Sequence, residues 1–306
     1  MIVSEVFPEI FSRYTPVLDA RARVLEAAKI LTSPQVSAVI VSGSASSKQG
    51  AVQYSAAGGY NILSRLHLRS GDIDLFYRPC SLIAKPIKVV NQDESLESII
   101  RAIARSRLGV VLVRRKLVSS EILTTVELRD FIHLYRSGRR LKVKNVKVGS
   151  IASSPVLAVR GEDTLKHVIE VMLKNRKRKV LLRETKSLIS DRDVLNFLIG
   201  SNRFEQLTDE KAKILNTPAR ELSSTQPRFV DSNMGIEEAA GLMNPDAGDC
   251  LICDRGLVSF WDLVIKLEDL TDRAKTPSQE SFRDITAASG RQGGIDNIRA
   301  NANDQF

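Results

Sequence analysis

The chain has 306 residues, room for about two domains, and its 43% hydrophobic and 26% charged content is that of a soluble protein with real cores; at 5% aromatic residues those cores must be aliphatic. Cys80, Cys250 and Cys253 are too few for a disulfide framework. The N-terminal stretch with Glu5 and Glu9 lacks a basic-then-apolar leader pattern, and no apolar run approaches the roughly 18 residues of a membrane span, so a cytoplasmic protein away from the membrane is expected. The net charge of +9 is uneven: Arg101 to Lys186 holds 22 basic against 7 acidic residues, a local field that attracts phosphates, nucleic acid or an acidic partner.

Taken in chain order, one pattern recurs. Leu18–Ala28 (LDARARVLEAA), Val90–Ile100 (VNQDESLESII), Val159–Ile169 (VRGEDTLKHVI) and Val230–Ala240 (VDSNMGIEEAA) align without gaps, and their openings at 18, 90, 159 and 230 give a period of about 70 residues. Each opens on an apolar residue, passes through turn-type residues and resumes with an aliphatic one (Val24, Leu96, Leu165, Ile236). That order predicts a strand end, a turn and a helix start, with Asp19, Asp93, Asp163 and Asp231 near the turn, where carboxylates favour helix N-termini. Apolar spacings of three and four, as in Leu165, Val168, Ile169 and Met172, set one helix face on a core. Pro16, Pro86, Pro155 and Pro227 precede the openings and suit the entry to an edge strand.

After each helix comes a short aliphatic run predicted as a strand: VSAVIVS, GVVLVR, KVLLRE and CLICD. A second strand follows each (AVQYS, EILTTV, SLIS, GLVS), and then a second helix, as in DVLNFLI and DLVIKL. The predicted fold is therefore α/β, with four tandem β-α-β-β-α repeats at 10–66, 79–137, 146–200 and 217–270 and a polar, disordered tail at 272–306. A unit of this size cannot bury its own sheet, so the copies should pair through their sheets into two modules.

At the start of the last helix the third copy reads Ser190-Asp191-Arg192-Asp193 and the fourth Ser259-Phe260-Trp261-Asp262. A carboxylate fixed there can accept a pair of ribose hydroxyls, and a hydroxyl beside a helix N-terminus favours phosphate. The same spacing also fits a capping box, in which the serine caps and the acid reaches back. In the second copy Asp130 is present, but Glu127 stands at the hydroxyl position, where it would repel phosphate; in the first, Ser55-Ala56-Ala57-Gly58 has the hydroxyl and no acid.

With these residues in view, the copies resemble cystathionine β-synthase (CBS) domains, whose β-α-β-β-α units pair into Bateman modules. The resemblance covers about residues 10 to 270. It is best in the third copy (SSPVLAV, EDTLKHVIEVMLK, KVLL, LISDRDVLNFL), good in the fourth, fair in the second and weak in the first. Four copies in one chain resemble the disk of the gamma subunit of AMP-activated protein kinase and of small archaeal stand-alone proteins. The resemblance implies a non-catalytic regulator that senses an adenosine-containing ligand: AMP, ADP, ATP or S-adenosylmethionine. It implies Ser190, Asp193, Ser259, Asp262 and Asp130 at the ligand positions, with the second module the stronger candidate. It also implies phosphate contacts from Arg178 and Lys179 at the helix-to-strand junction, with Arg192 a further candidate, while the fourth copy has Asp249 there. Val156, Leu157 and Phe229, after their prolines, are candidates to hold adenine against apolar strand edges.

Other signals carry less. Cys250 and Cys253 form half a zinc site with no second half, inside a predicted strand, and read as core fillers; His67, His133 and His167 have no ligand spacing. No catalytic motif appears, and Gly58-Gly59 reads as a turn. Two other functions remain open: a nucleic-acid binder using the basic span from Arg136 to Lys186, and a scaffold with empty clefts. A protein partner and a homodimer through the modules are further expectations.

Overall fold

The computed structural model describes residues 1–43, 54–66, 73–136, 145–200, 211–244 and 250–270. The tail at 272–306, Asp249 and His67 lie outside them.

The β-α-β-β-α order recurs four times. The first copy holds β1 (Val17–Asp19), α2 (Val24–Leu31), β2 (Val39–Ser42), β3 (Tyr54–Ala57) and α3 (Gly59–Arg65), after a short helix α1 (Val3–Val6). The second holds β5 (Val89–Asn91), α4 (Leu96–Ser106), β6 (Val110–Lys116), β7 (Glu121–Glu127) and α5 (Ile132–Arg136), with β4 (Lys85–Pro86) ahead of it. The third holds β8 (Ala158–Val159), α7 (Leu165–Lys174), β9 (Lys179–Leu182), β10 (Ser187–Ser190) and α8 (Asp191–Ile199), after α6 (Val148–Ile151). The fourth holds β11 (Arg228–Phe229), a helix at Ile236–Leu242, β12 (Cys250–Cys253), β13 (Gly256–Ser259) and a π-helical turn at Asp262–Lys266.

The four aliphatic residues singled out at the helix starts are the first residues of their helices. Ser95 and Thr164 cap two of them by accepting the N–H groups of Ser98 and His167, both at 3.2 Å. The aspartates of the turn act one step earlier than expected. Asp19 accepts the Arg21 N–H, Asp231 the Asn233 N–H and Asp163 the Arg160 N–H, all at 2.7 Å, so they shape the strand-to-helix turn rather than the helix end.

In each copy the first strand runs parallel to the second, and the second antiparallel to the third. The segment leading into each copy crosses to its partner. Pro86 and Lys85, ahead of the second copy, pair with Ser55 and Ala56 of β3, so β4 is an edge strand where the proline costs no ladder bond. Ile2 bridges Ser95, Ser153 bridges Leu257, and Thr225 bridges Leu188.

The pairing follows from what the small sheets cannot bury alone. Ile40 and Ala56 of the first copy meet Val110 and Leu112 of the second; Leu188 of the third meets Cys250 and Ile252 of the fourth. Helices then join the pairs. One core runs from Val24, Ala28 and Ile62 of the first copy to Val194, Leu195 and Leu198 of the third, with α2 and α3 against α8. The helix Ile236–Leu242 packs on α5, whose Arg136 donates from Nε to the Ala240 carbonyl at 3.0 Å. Each fully buried Leu, Ile or Val contributes about 1.5–3 kcal/mol, so aliphatic cores suffice.

Candidate ligand site

Strand register places four equivalent positions at the start of the last helix of each copy: Gly58 and Asn61, Glu127 and Asp130, Ser190 and Asp193, Ser259 and Asp262. The first copy is thus read three residues too early from sequence. Ala57 pairs with Val39, so Ser55 lies mid-strand, and Gly58 caps α3. Gly59, expected in a turn, is the first residue of that helix. A Cβ there would stand 2.9 Å from the Asp191 carboxylate, so glycine is what lets copies one and three approach.

All four positions share one feature. The first residue donates its backbone N–H to the fourth: Gly58 to Asn61 Oδ1 at 3.0 Å, and Glu127, Ser190 and Ser259 to the Oδ2 of Asp130, Asp193 and Asp262 at 2.8 Å each. Ser190 and Ser259 also donate their hydroxyls to that Oδ2, at 2.6 and 2.7 Å. Ser190 also accepts the Asp193 N–H at 3.3 Å, which completes the capping box in the third copy, and the reach-back in each copy uses one side-chain oxygen. What separates the copies is the other oxygen.

Asp130 is 6% exposed, and Arg13, from the lead-in of the first copy, grips it with Nη2 at 2.6 Å from Oδ1 and Nη1 at 3.0 Å from Oδ2. Burial works against the charge of Arg13, but the hydrogen bond and charge of Asp130 outweigh it and hold the guanidinium above its ordinary pKa. Beside it Glu127 accepts Ser37 Oγ at 2.5 Å and pairs with Arg129 at 2.9 Å. Burial raises the Glu127 pKa, with Arg129 and Ser37 opposing. Arg129 also donates to the carbonyls of Pro34 and Gln35.

Asp262 is 2% exposed, and its Oδ1 accepts Ser153 Oγ at 2.7 Å and Lys266 Nζ at 2.8 Å. Lys266 binds the Ile151 carbonyl and Ser153 Oγ as well, at 2.9 and 2.8 Å. The expectation of an available carboxylate in the fourth copy is corrected here: both oxygens are engaged within the protein.

Asp193 differs. It is partly exposed, Oδ2 is held by Ser190, and Oδ1 accepts no hydrogen bond and joins no ion pair among the described residues. The Thr225–Leu188 bridge is the counterpart of the Ser153–Leu257 bridge, so the lead-in of the fourth copy runs past Asp193 as that of the third runs past Asp262. From Ser223 to Gln226 that lead-in is exposed, and Phe229 is 59% exposed.

The basic candidates separate. Arg178 stands next to this cap. Its Nε binds Asp191 Oδ2 at 2.9 Å while its side chain stays 46% exposed, leaving the outer face of the guanidinium toward solvent. Lys179, opposite Ser190 in the sheet, turns to Cys250 Sγ of the fourth copy at 3.6 Å, and burial lowers its pKa. Arg192 is corrected as a cleft contact: Nε and Nη2 cross to the Leu31 and Val36 carbonyls of the first copy, at 3.3 and 3.1 Å, because residue 192 falls on the side of α8 that faces α2. Burial lowers its pKa, with Asp191 opposing. Val156 and Leu157 lie on the lead-in serving the Asp262 position, and Leu157 packs on the core, so only Phe229 of the apolar candidates belongs to the lead-in beside Asp193.

Arg13, Ser153 and Lys266 went unnoticed in the sequence. The first two stand three and two residues before Pro16 and Pro155, so a polar residue just ahead of each lead-in proline was the available signal. Cys250 and Cys253 are buried in β12 with free thiols. Among the described residues no helix is long and apolar enough to cross a membrane, and no His, Cys, Asp and Glu cluster could hold a metal.

Four β-α-β-β-α copies, paired by sheets and joined by helices, repeat one capped position at the start of the last helix. Residues 148–200 match the family model described as CBS domain, which is the third copy. A Methanocaldococcus jannaschii protein proposed as an archaeal homolog of g-AMPK superposes with a TM-score of 0.70 at 12% identity, over 87% of this chain and all 100% of that one, a likeness of fold. A conserved protein from Pyrococcus horikoshii gives 0.49 at 15% identity over 83% and 96%. A CBS domain protein from Pyrobaculum aerophilum complexed with AMP gives 0.30 at 19% over 40% and 97%. No curated protein matches the sequence.

Proposed function

We propose that the protein is a non-catalytic regulator that binds an adenosine-containing ligand in the cleft between the third and fourth copies, at Asp193. The observation that carries this is Asp193 Oδ1, which has no partner among the described residues and stands beside an oxygen already fixed by Ser190. A carboxylate immobilised in this way presents its remaining lone pairs in a defined direction, and vicinal hydroxyls of a ribose match them. The exposed face of Arg178 and the N-terminus of α8 supply positive potential for phosphate, and Phe229 supplies an apolar face for adenine. The CBS match to the third copy supports the same reading.

Ligand held between two copies changes their relative orientation and so a contact with a partner. Thermal shift and isothermal titration with AMP, ATP and S-adenosylmethionine test the reading. One of these should raise the melting temperature of the wild type, and the rise should vanish in Asp193→Asn. No response to any of the three, alongside a gel shift of nucleic acid that fades with salt, would instead favour the basic span as a nucleic-acid surface.

A further inference from the structure

We infer that the chain closes two of its own clefts with resident cations, Arg13 on Asp130 and Lys266 on Asp262, and so binds a single ligand at Asp193. This rests on the proposed function for the identity of the ligand, but not for the closure. The argument is an accounting of oxygens at equivalent positions. Every copy uses one acceptor for its helix cap, and only the second acceptor can meet a ligand. At Asp130 it receives Nη2 of Arg13, whose Nη1 also joins the cap oxygen; at Asp262 it receives an ammonium and a hydroxyl. Asn61 carries no charge at all, and at Asp193 the acceptor is open among the described residues.

Ribose hydroxyls are neutral donors. They cannot displace charge-assisted bonds, which are about twice as strong as neutral ones, and removing the cation would strand a buried carboxylate. The two closures are built differently, which argues against one chance contact. Arg13 comes from the lead-in ahead of β1, whereas Lys266 comes from the same turn as its acid. The π-helical turn at Asp262–Lys266 widens the helix there, and Lys266 reaches the Ile151 carbonyl and Ser153 Oγ of the partner copy as well as Asp262. At Asp193 the corresponding lead-in residue, Thr225, is exposed and makes no bond to the acid. Copies one and two are thus held as a fixed pair by an internal ion pair, while the third-copy cleft stays responsive.

Native mass spectrometry of the full chain with AMP and with ATP counts the sites. The wild type should take up one nucleotide, Asp193→Asn none, and the double variant Ser153→Ala/Lys266→Met, which frees Asp262 Oδ1, a second one. Two or more nucleotides on the wild type overturn the closure and leave the nucleotide reading standing. None on the wild type but one on the double variant overturns Asp193 as the site and keeps the closure; none on either overturns both. A double variant that keeps its circular dichroism spectrum yet remains at one nucleotide also overturns the closure.

Discussion

Asp193→Asn separates ligand binding from folding because the protein already contains the answer for folding. Asn61 accepts the Gly58 N–H at 3.0 Å in the first copy just as Asp193 Oδ2 accepts the Ser190 N–H at 2.8 Å. An asparagine at 193 can therefore keep its oxygen on the cap and turn its amide toward the cleft. Stability should fall by only about 0.5–1 kcal/mol, mostly the lost attraction between a carboxylate and the α8 N-terminus. Binding should fall far more, since an acceptor becomes a donor facing hydroxyl donors. A hydrogen bond to a charged group is worth about 1.5–3 kcal/mol, so the loss of one corresponds to roughly 10-fold to 150-fold in affinity. Calorimetric titration of both proteins, with urea unfolding as the control, reads the two effects separately. An affinity within about threefold of wild type would refute the role given to Oδ1.

Three other perturbations follow from the first module and from the copy-one, copy-three contact. Arg13→Ala leaves Asp130 buried without its cation and should cost about 3 kcal/mol by urea unfolding, at the low end for a buried pair because Arg13 keeps some solvent contact; a loss under about 1 kcal/mol would mean that the pair is solvated. Burial raises the Glu127 pKa in the fold, so its contribution is fully present below the unfolded value of about 4.3 and is lost as pH rises through the higher folded value. Glu127→Gln should remove that component and flatten stability against pH across this window; equal slopes for the two proteins would show that Glu127 is not the linked group. Gly59→Ala drives a methyl to 2.9 Å from Asp191 Oδ2 and 3.2 Å from Leu195 Cδ1 and should lower stability by about 1–3 kcal/mol, read as a drop in melting temperature.

The elements were legible because they rest on local rules: Leu165, Val168, Ile169 and Met172 lie on one buried face, and Pro86 lies on an edge strand, as spacing and the missing N–H require. The capping positions of the second, third and fourth copies were legible for the same reason. The first failed because Ser55 imitates a capping serine while Gly58, with no side chain to advertise, occupies the position. Availability was legible only in faint signals, the polar residues ahead of the prolines and Lys266 four residues after Asp262. Asp130, Asp193 and Asp262 look alike in sequence, and what distinguishes them is Arg13, 117 residues from Asp130, and Ser153, 109 residues from Asp262. Arg192 was misread because a basic residue inside the motif has two possible directions, and only the packing of α8 on α2 decides between them.

Under the proposed function, that packing would make α8 the element that both senses and transmits. Asp193 lies in its first turn, and the residue before it, Arg192, holds the carbonyls of Leu31, the last residue of α2, and of Val36 in the loop that follows; Asp191, one further back, is locked to Arg178 and lies against Gly59. A ligand that fixes Asp193 restrains three successive residues, two of which touch the first copy. The physical link is a single helical turn whose successive residues bond to different neighbours, not mere proximity. Hydrogen exchange should therefore slow in α2 when ligand binds, although α2 touches no ligand. Arg192→Met keeps the stem of the side chain in place but removes both carbonyl contacts. It should leave ligand affinity within about threefold while abolishing the protection in α2, because only the coupling contact is lost. Protection of α2 that persists in Arg192→Met would show that the signal crosses through the shared aliphatic core instead, and protection confined to α8 in the wild type would show that the two modules are not coupled at this seam.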